Sequence, residues 1–417
     1  MRAPQTLFRF VSDFMSSLPN RLKQTVWPMI EAIYDGQQLT MTGIARHLPG
    51  RAFVKHKIKR VYRLLSNPDL HRQFGDLFAA IAHQLVAKNS RPMILVDWTC
   101  FDNQHYALVA AVVHDGRALP VYVEVHPIAE YAHEAVETAF LGALKHRILP
   151  AGCTPVIVTD AGFRNPWFAQ VRRLGWDFVG RLCGRVTIQP TNATADIWLK
   201  REVVMARAGE HALELGEYRI AKSNPLTARL VTVHFTAPRM PSQKRTPNKK
   251  TRAKGGKYQK QAEEPWLLVT SLDAGEVSAA SVVSVYSKRM QIEETFRDDK
   301  NRDSGVGLDG SRSQTAAHLR ALRWLGALTT ILTHTVGQAG EMMGIHRHYQ
   351  SNTVSDRRVL SLPFLGRQIL RHEDRRRLSS KRLREALDHI RAGAQLSSIV
   401  EAEKVHGEAF KSARIAA

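Results

Sequence analysis

Four residues in one short run, Tyr286, Arg289, Glu293 and Lys300 within VYSKRMQIEETFRDDK, have the chemistry of a phosphate site: a hydroxyl, two cations and a carboxylate. At roughly 100° per residue they fall within about 60° of one another on a helical wheel. Val285, Ile292 and Phe296 make an adjacent apolar face, so one helix through this run can dock on a core and present the polar stripe. A quartet of this kind taken alone is more often the solvated side of an amphipathic helix.

Two further carboxylates change that balance. Asp97 in MILVDWT and Asp160 in TPVIVTDAGF each end or follow an apolar, β-branched run of strand length. A carboxylate at the end of a buried strand is costly unless it is hydrogen-bonded, paired or bound to a metal. Each Asp alone also reads as a turn or helix-cap residue. With Glu293 they make an all-oxygen donor set suited to two Mg²⁺ ions, with Mn²⁺ as a substitute. Two such ions can activate an attacking oxygen and stabilise a leaving one, which is what phosphodiester cleavage requires.

The elements that must position these residues follow from the pattern. The first 85 or so residues read as helical. LTMTGIARHL, a Pro49-Gly50 break and VKHKIKRVYRLLSN suggest a helix-turn-helix reader, with Pro68 closing the unit. Lys55, Lys57, Lys59, Arg60 and Arg63 are its candidate DNA contacts; a basic helix that touches DNA only electrostatically fits the same residues. MILVDWT, HYALVAAVVHD and LPVYVEVHP then read as three strands, with turns at Asp102-Asn103 and Asp115-Gly116. A helix over Ala132–Leu149, a strand in TPVIVTD, a helix over Asn165–Leu174 and a strand over Asp177–Leu182 complete the order of an α/β, ribonuclease-H-like core. Its sheet is mixed and five-stranded. Alternating runs from 185 predict a β-rich insertion, and PRMPSQKRTPNKKTRAKGGKYQKQ predicts a mobile basic loop. Thr315–Gly337 reads as an apolar core helix, followed by basic helices. The expected domains are 1–85, 86–184, 185–275, 276–310 and 311–417.

Composition narrows the partners. A net charge of +22 suits a polyanion, although basic composition is shared by ribosomal and membrane-surface proteins. With 417 residues, 44% of them hydrophobic, the chain can build two or three cores. Cys100, Cys153 and Cys183 are too few and too scattered for a disulfide framework or a zinc cluster. No apolar run reaches membrane-spanning length, and no signal-peptide core opens the chain. The expectation is a soluble, cytoplasmic protein, which in a bacterium places it beside the chromosome, with the nucleoid.

The order strand-Asp, strand-Asp, helix-Glu, with spacings of two, three and six residues from Tyr286 through Arg289 and Glu293 to Lys300, resembles the insertion-sequence-4 family of bacterial DDE transposases. DAGFRNPWF and EEPWLLVTSL resemble segments of its branch around the tetracycline-resistance transposon. The resemblance implies cut-and-paste transposition: Asp97, Asp160 and Glu293 catalyse, and a hairpin forms at each transposon end. Tyr286, Arg289 and Lys300 hold phosphates beside the scissile bond. It further implies that Trp266 stacks an extruded base, its residue-level alternative being a core tryptophan, and that Arg181 and, more loosely, Arg164 contact DNA. Implied partners are double-stranded DNA, as transposon ends and target, and a second copy of the chain in the DNA complex, with no nucleotide cofactor. Asp299 departs from relatives that carry leucine there, and reads as either weakening phosphate contact or facing solvent. The residues alone also fit a nuclease of branched DNA, or a non-catalytic DNA-binding descendant.

Overall fold

The computed structural model describes residues 3–102, 104–235, 264–301, 306–313, 315–351, 353–354 and 356–402. The basic segment Pro238–Gln261 and the turn residue Asn103 lie outside them. The fold is α/β, and the chain divides into two compact units. The first holds Met1–Val156 and Lys288–Ser398; the second holds Ile157–Ser287 and the described residues from Ile399.

In the first unit three strands, β1 (Met93–Cys100), β2 (His105–His114) and β3 (Arg117–Pro127), pair antiparallel in the order β1-β2-β3. The turns are set by short acids. Asp102 accepts the backbone N–H groups of Gln104 and His105, both at 2.7 Å. Asp115 and Gly116 take φ of +44° and +80°, the left-handed pair that a two-residue hairpin requires. One sheet face packs on helices: Tyr122 stacks on Phe140 with ring centroids 5.0 Å apart and meets Phe78 edge-on at 5.6 Å.

Helices from both ends of the chain share this unit. Asn20–Gly36, Met41–His47 and Val54–Leu65 are followed by Pro68–Arg72 and Phe74–Leu85, so the helical region runs to residue 85, and Pro68, just past the end of Val54–Leu65, opens the next helix. Asn67 caps it, accepting the N–H of Asp69 at 2.8 Å, and proline suits a first helical position because its missing N–H would be unpaired there. The long helix Ala316–Met342 is buried along most of its length and packs on Leu362–Arg371 at a glycine crossing. A Cβ on Gly337 would sit 2.1 Å from the Leu362 carbonyl oxygen, and one on Gly366 would sit 1.8 Å from that of Thr333. The backbones therefore touch where only glycine fits.

Two imidazoles are buried beside this crossing and reach a third, exposed one. His114 at the end of β2 bonds His334 of the long helix through Nδ1 at 2.8 Å, and His389 of the helix Ser380–Gly393 through Nε2 at 3.4 Å. Burial pushes His114 down to about 4 and His334 well below its ordinary range.

In the second unit β4 (Val156–Thr159), most of which lies here, neighbours β5 (Asp177–Arg181). The sheet runs on through β6 (Thr187–Pro190), β7 (Leu199–Lys200), β8 (Leu213–Ile220), β9 (Leu226–Val233) and β10 (Trp266–Thr270), in the order β4-β5-β10-β9-β8-β6-β7. The β-rich stretch is thus continuous with β5, to which β10 pairs antiparallel. Arg201–Met205, expected as alternating strand, is a short helix. Its Arg201 is buried and donates to Glu264 at 2.5 Å, an anchor that outweighs the local β pattern.

Candidate active site

Strand alternation decides where Asp97 goes. In β1 its neighbour Trp98 points to the helix-covered face, where the indole N–H donates to buried Glu137 at 3.1 Å. Asp97 therefore points to the other face, opposite Val109 in register. It is half-buried, and one oxygen accepts the N–H of Trp98 at 2.8 Å.

Glu293 lies in the first turn of the helix Met290–Lys300, where the helix dipole favours a carboxylate. Buried Ile292 and Phe296 seat that helix, as the apolar pattern requires. Thr295 fixes its register: the hydroxyl accepts the Ala118 N–H and lies 2.9 Å from both the N and the O of that residue in β3. Arg117 donates to Asp298 at 2.7 Å and clamps the same edge. The helix packs on all three strands of the first unit, so β1 and the glutamate helix are held together within one body. Arg289 donates to Glu293 at 2.5 Å.

The expected single helix through Tyr286 and Lys300 is two. Ala279–Ser287 ends first, and after a turn Met290–Lys300 begins. The Ser287 hydroxyl donates to the Ser284 carbonyl at 2.6 Å, competing for the helix's own acceptors. The backbone then tightens to three-residue bonds, Gln291 N–H to Lys288 and Ile292 N–H to Arg289, at 2.9 and 3.2 Å. Tyr286 belongs to the second unit, while Arg289, Glu293 and Lys300 belong to the first.

Asp299 neither faces solvent nor sits in the polar stripe. It is 5% exposed and pairs with Arg323 of the long helix, itself 4% exposed. Burial raises the Asp299 carboxyl above its ordinary value, with Arg323 opposing the shift. Lys300 beside it is half-buried in the last helical turn.

In the second unit Asp160 follows the fully buried β4 and is half-buried. It accepts the Gly162 N–H at 2.8 Å, and a Cβ on Gly162 would approach the same oxygen to 3.0 Å. Trp266, half-buried at the start of β10, meets Tyr286 edge-on at 4.9 Å and Phe235 edge-on at 5.0 Å. Tyr286 is 3% exposed, so its ring is a packing partner of Trp266. Phe235, 48% exposed, escaped the sequence reading; an aromatic next to the basic run is its only signal. Arg181 lies 3.6 Å from Glu264, the acid that also holds Arg201. Arg164 is exposed.

On the helix Val54–Leu65, Val61, Leu64 and Leu65 are buried while Lys55, Lys59, Arg60 and Arg63 are exposed. Lys57 differs from the expectation for all five cations. At 300° on the wheel from Val54, by roughly 100° per residue, it lies on the packed side. Its ammonium donates to the Leu48 carbonyl at 2.6 Å, closing the end of the preceding helix Met41–His47.

Among the described residues, no three His, Cys, Asp or Glu side chains form a group placed to hold a metal. The donor chemistry of Asp97, Asp160 and Glu293 nevertheless suits a hard divalent ion, being carboxylate oxygen throughout. No helix among the described residues is long and apolar enough to cross a membrane.

Residues 88–330, more than half of the chain, match the family described as transposase DDE domain. The chain belongs to that family. DDE transposases cut DNA and join strands in transposition and DNA recombination, by phosphoryl transfer that generally uses divalent ions. No curated protein matches the chain. Among solved structures it is similar to a piggyBac transposase in a cryo-EM synaptic complex with hairpin DNA, at 10% identity and a TM-score of 0.39. That likeness covers 90% of this chain and 75% of the other. Likeness at that level carries no inference about this DDE transposase.

Proposed function

We propose that this DDE transposase is a cut-and-paste enzyme of the insertion-sequence-4 family, in the branch around the tetracycline-resistance transposon. The supporting observation is that the family match spans Asp97, Asp160 and Glu293 together, with the spacing of Tyr286, Arg289, Glu293 and Lys300 intact. Its core is of the ribonuclease-H-like type, residues 1–85 read DNA, 185–275 are an insertion in the core, and 311–417 serve DNA contact or dimerisation. It works in the cytoplasm, beside the chromosome.

Asp97, Asp160 and Glu293 would hold two Mg²⁺, or Mn²⁺, which when bound lower the charge barrier at the attacked phosphate. Arg289 orients the Glu293 carboxylate and, with Lys300, steadies the phosphates beside the scissile bond, while the buried Tyr286 backs Trp266. Water attacks the first strand and leaves a 3′ hydroxyl. That hydroxyl attacks the opposite strand to form a hairpin, a second water reopens it, and the freed 3′ end joins target DNA. Trp266 stacks the base extruded at the hairpin, and Arg181 grips the adjoining backbone. Lys55, Lys59, Arg60 and Arg63 dock the reader helix on the terminal inverted repeat, and two copies pair two ends.

The test uses purified protein, Mg²⁺ and a labelled duplex carrying the flanking inverted repeat. Wild type yields hairpin and double-strand-break products; Asp97→Ala and Glu293→Ala bind the end and yield neither. Binding without cleavage by the wild type would sink the catalytic reading, and unspecific nicking would favour a nuclease.

A further inference from the structure

The second unit contains an open cleft of about 870 Å³ beside the Asp160 turn. Three segments wall it: 161–166, 181–187 and 221–224. Its shape is built in, because buried Asn165 donates from Nδ2 to the carbonyls of Ile220 and Asn224, both at 2.7 Å, tying the third wall to the first. Four cations line it, and they are not equivalent. Lys222 pairs with Asp196 at 3.3 Å, and Arg181 lies 3.6 Å from Glu264. Arg164 and Arg185 are exposed and make no side-chain hydrogen bond or ion pair among the described residues.

A concave site of this size takes a ligand of a few dozen atoms, and two unpaired guanidiniums on its walls select an anion, with planar forks suited to phosphate. A duplex, whose major groove alone is about 12 Å wide, is too broad to sit in a cavity of about 870 Å³; a single strand is not. The one aromatic in the lining, Phe163, is buried against Trp167 with ring centroids 4.6 Å apart. The cleft therefore offers no open stacking face and reads backbone, not base.

We infer that this cleft binds an unpaired DNA strand through its phosphates, with Arg164 and Arg185 as the gripping residues. This rests on DNA being the substrate and adds that part of it is single-stranded when bound here.

Cys183 lines the cleft and is partly accessible, whereas Cys153 is buried. In a Cys100→Ser background, alkylation of the native protein therefore reports on Cys183. A short oligothymidylate should slow that alkylation severalfold, while blunt duplex and thymidine monophosphate at equal nucleotide concentration should not. Arg164→Ala/Arg185→Ala should lose the protection while keeping the wild-type circular dichroism spectrum and Tm. Equal protection by duplex or by mononucleotide, no protection by the strand, or full protection in a folded double variant would each overturn the inference. End cleavage by wild type without Cys183 protection would remove the cleft and leave the transposase reading standing; protection without end cleavage would do the reverse.

Discussion

The cations around the glutamate helix and those around the cleft make a useful contrast. In the first unit Arg117, Arg289 and Arg323 each hold an acid of one helix, Asp298, Glu293 and Asp299. In the second, Arg164 and Arg185 make no side-chain hydrogen bond or ion pair among the described residues. The helix Val54–Leu65 repeats the division on one element, since Lys57 is bound to a carbonyl while Lys55, Lys59, Arg60 and Arg63 face outward. A net charge of +22 is therefore a poor guide to DNA contact. Internal acids and carbonyls take up part of that charge.

The strongest way to break the contrast is to remove an internal cation. Arg323→Met leaves Asp299 buried beside no partner, and should lower unfolding free energy by about 3–5 kcal/mol in urea titration. Adding Asp299→Leu should restore most of it, because two apolar groups replace an ion pair at little cost. No recovery in the double variant would show that Arg323 acts through other contacts.

Buried imidazoles extend the contrast to groups kept neutral. His114 titrates at about 4 in the folded state against an ordinary 6.5, with Asp115, Arg358, Arg117 and His389 around the chain. The unfolded chain takes the proton first as pH falls, so stability is complete above pH 6.5 and declines towards pH 4. The loss should reach about 3 kcal/mol from this residue, and His114→Gln should flatten the profile over that window. An unchanged profile would clear His114 of the role.

Smaller effects sharpen the available side. Trp266→Ala should weaken the hairpin complex by about 1–3 kcal/mol while binding of intact ends changes less. On the proposed reader helix, Lys55→Ala should reduce the slope of log affinity against log salt by about 1. Lys57→Ala should leave that slope alone and cost about 1 kcal/mol of stability. Equal slopes for the two variants would erase the distinction.

Much of the first unit was legible because its signals are local. The strands around Asp97, with Asp102 and Asp115-Gly116 at their turns, follow from alternation and turn chemistry, and the buried face of Met290–Lys300 follows from Ile292 and Phe296. The missed features depend on distant partners. Asp299 looks solvated until Arg323, 24 residues away, is placed against it. Lys57 looks like its neighbours until Leu48 turns back beneath it. The break after Tyr286 turns on a serine hydroxyl competing with the backbone, which a helical wheel does not register. Arg201–Met205 became helical through Glu264, beyond the reach of a local pattern. Of the cleft, only Arg181 and Arg164 were singled out, since its walls come from three segments with no shared motif.

The division of the chain also sets an order of assembly. The first unit is built from Met1–Val156 and Lys288–Ser398, so its core cannot close until the second of these stretches has left the ribosome. Ile157–Ser287, the larger part of the second unit, is synthesised in between. At about 5–20 residues per second, the three strands carrying Asp97 wait on the order of ten seconds for the helix that brings Glu293. A chain cut short late in that interval would carry Asp97 and Asp160 but lack Glu293, and on the proposed reading it could not cut DNA.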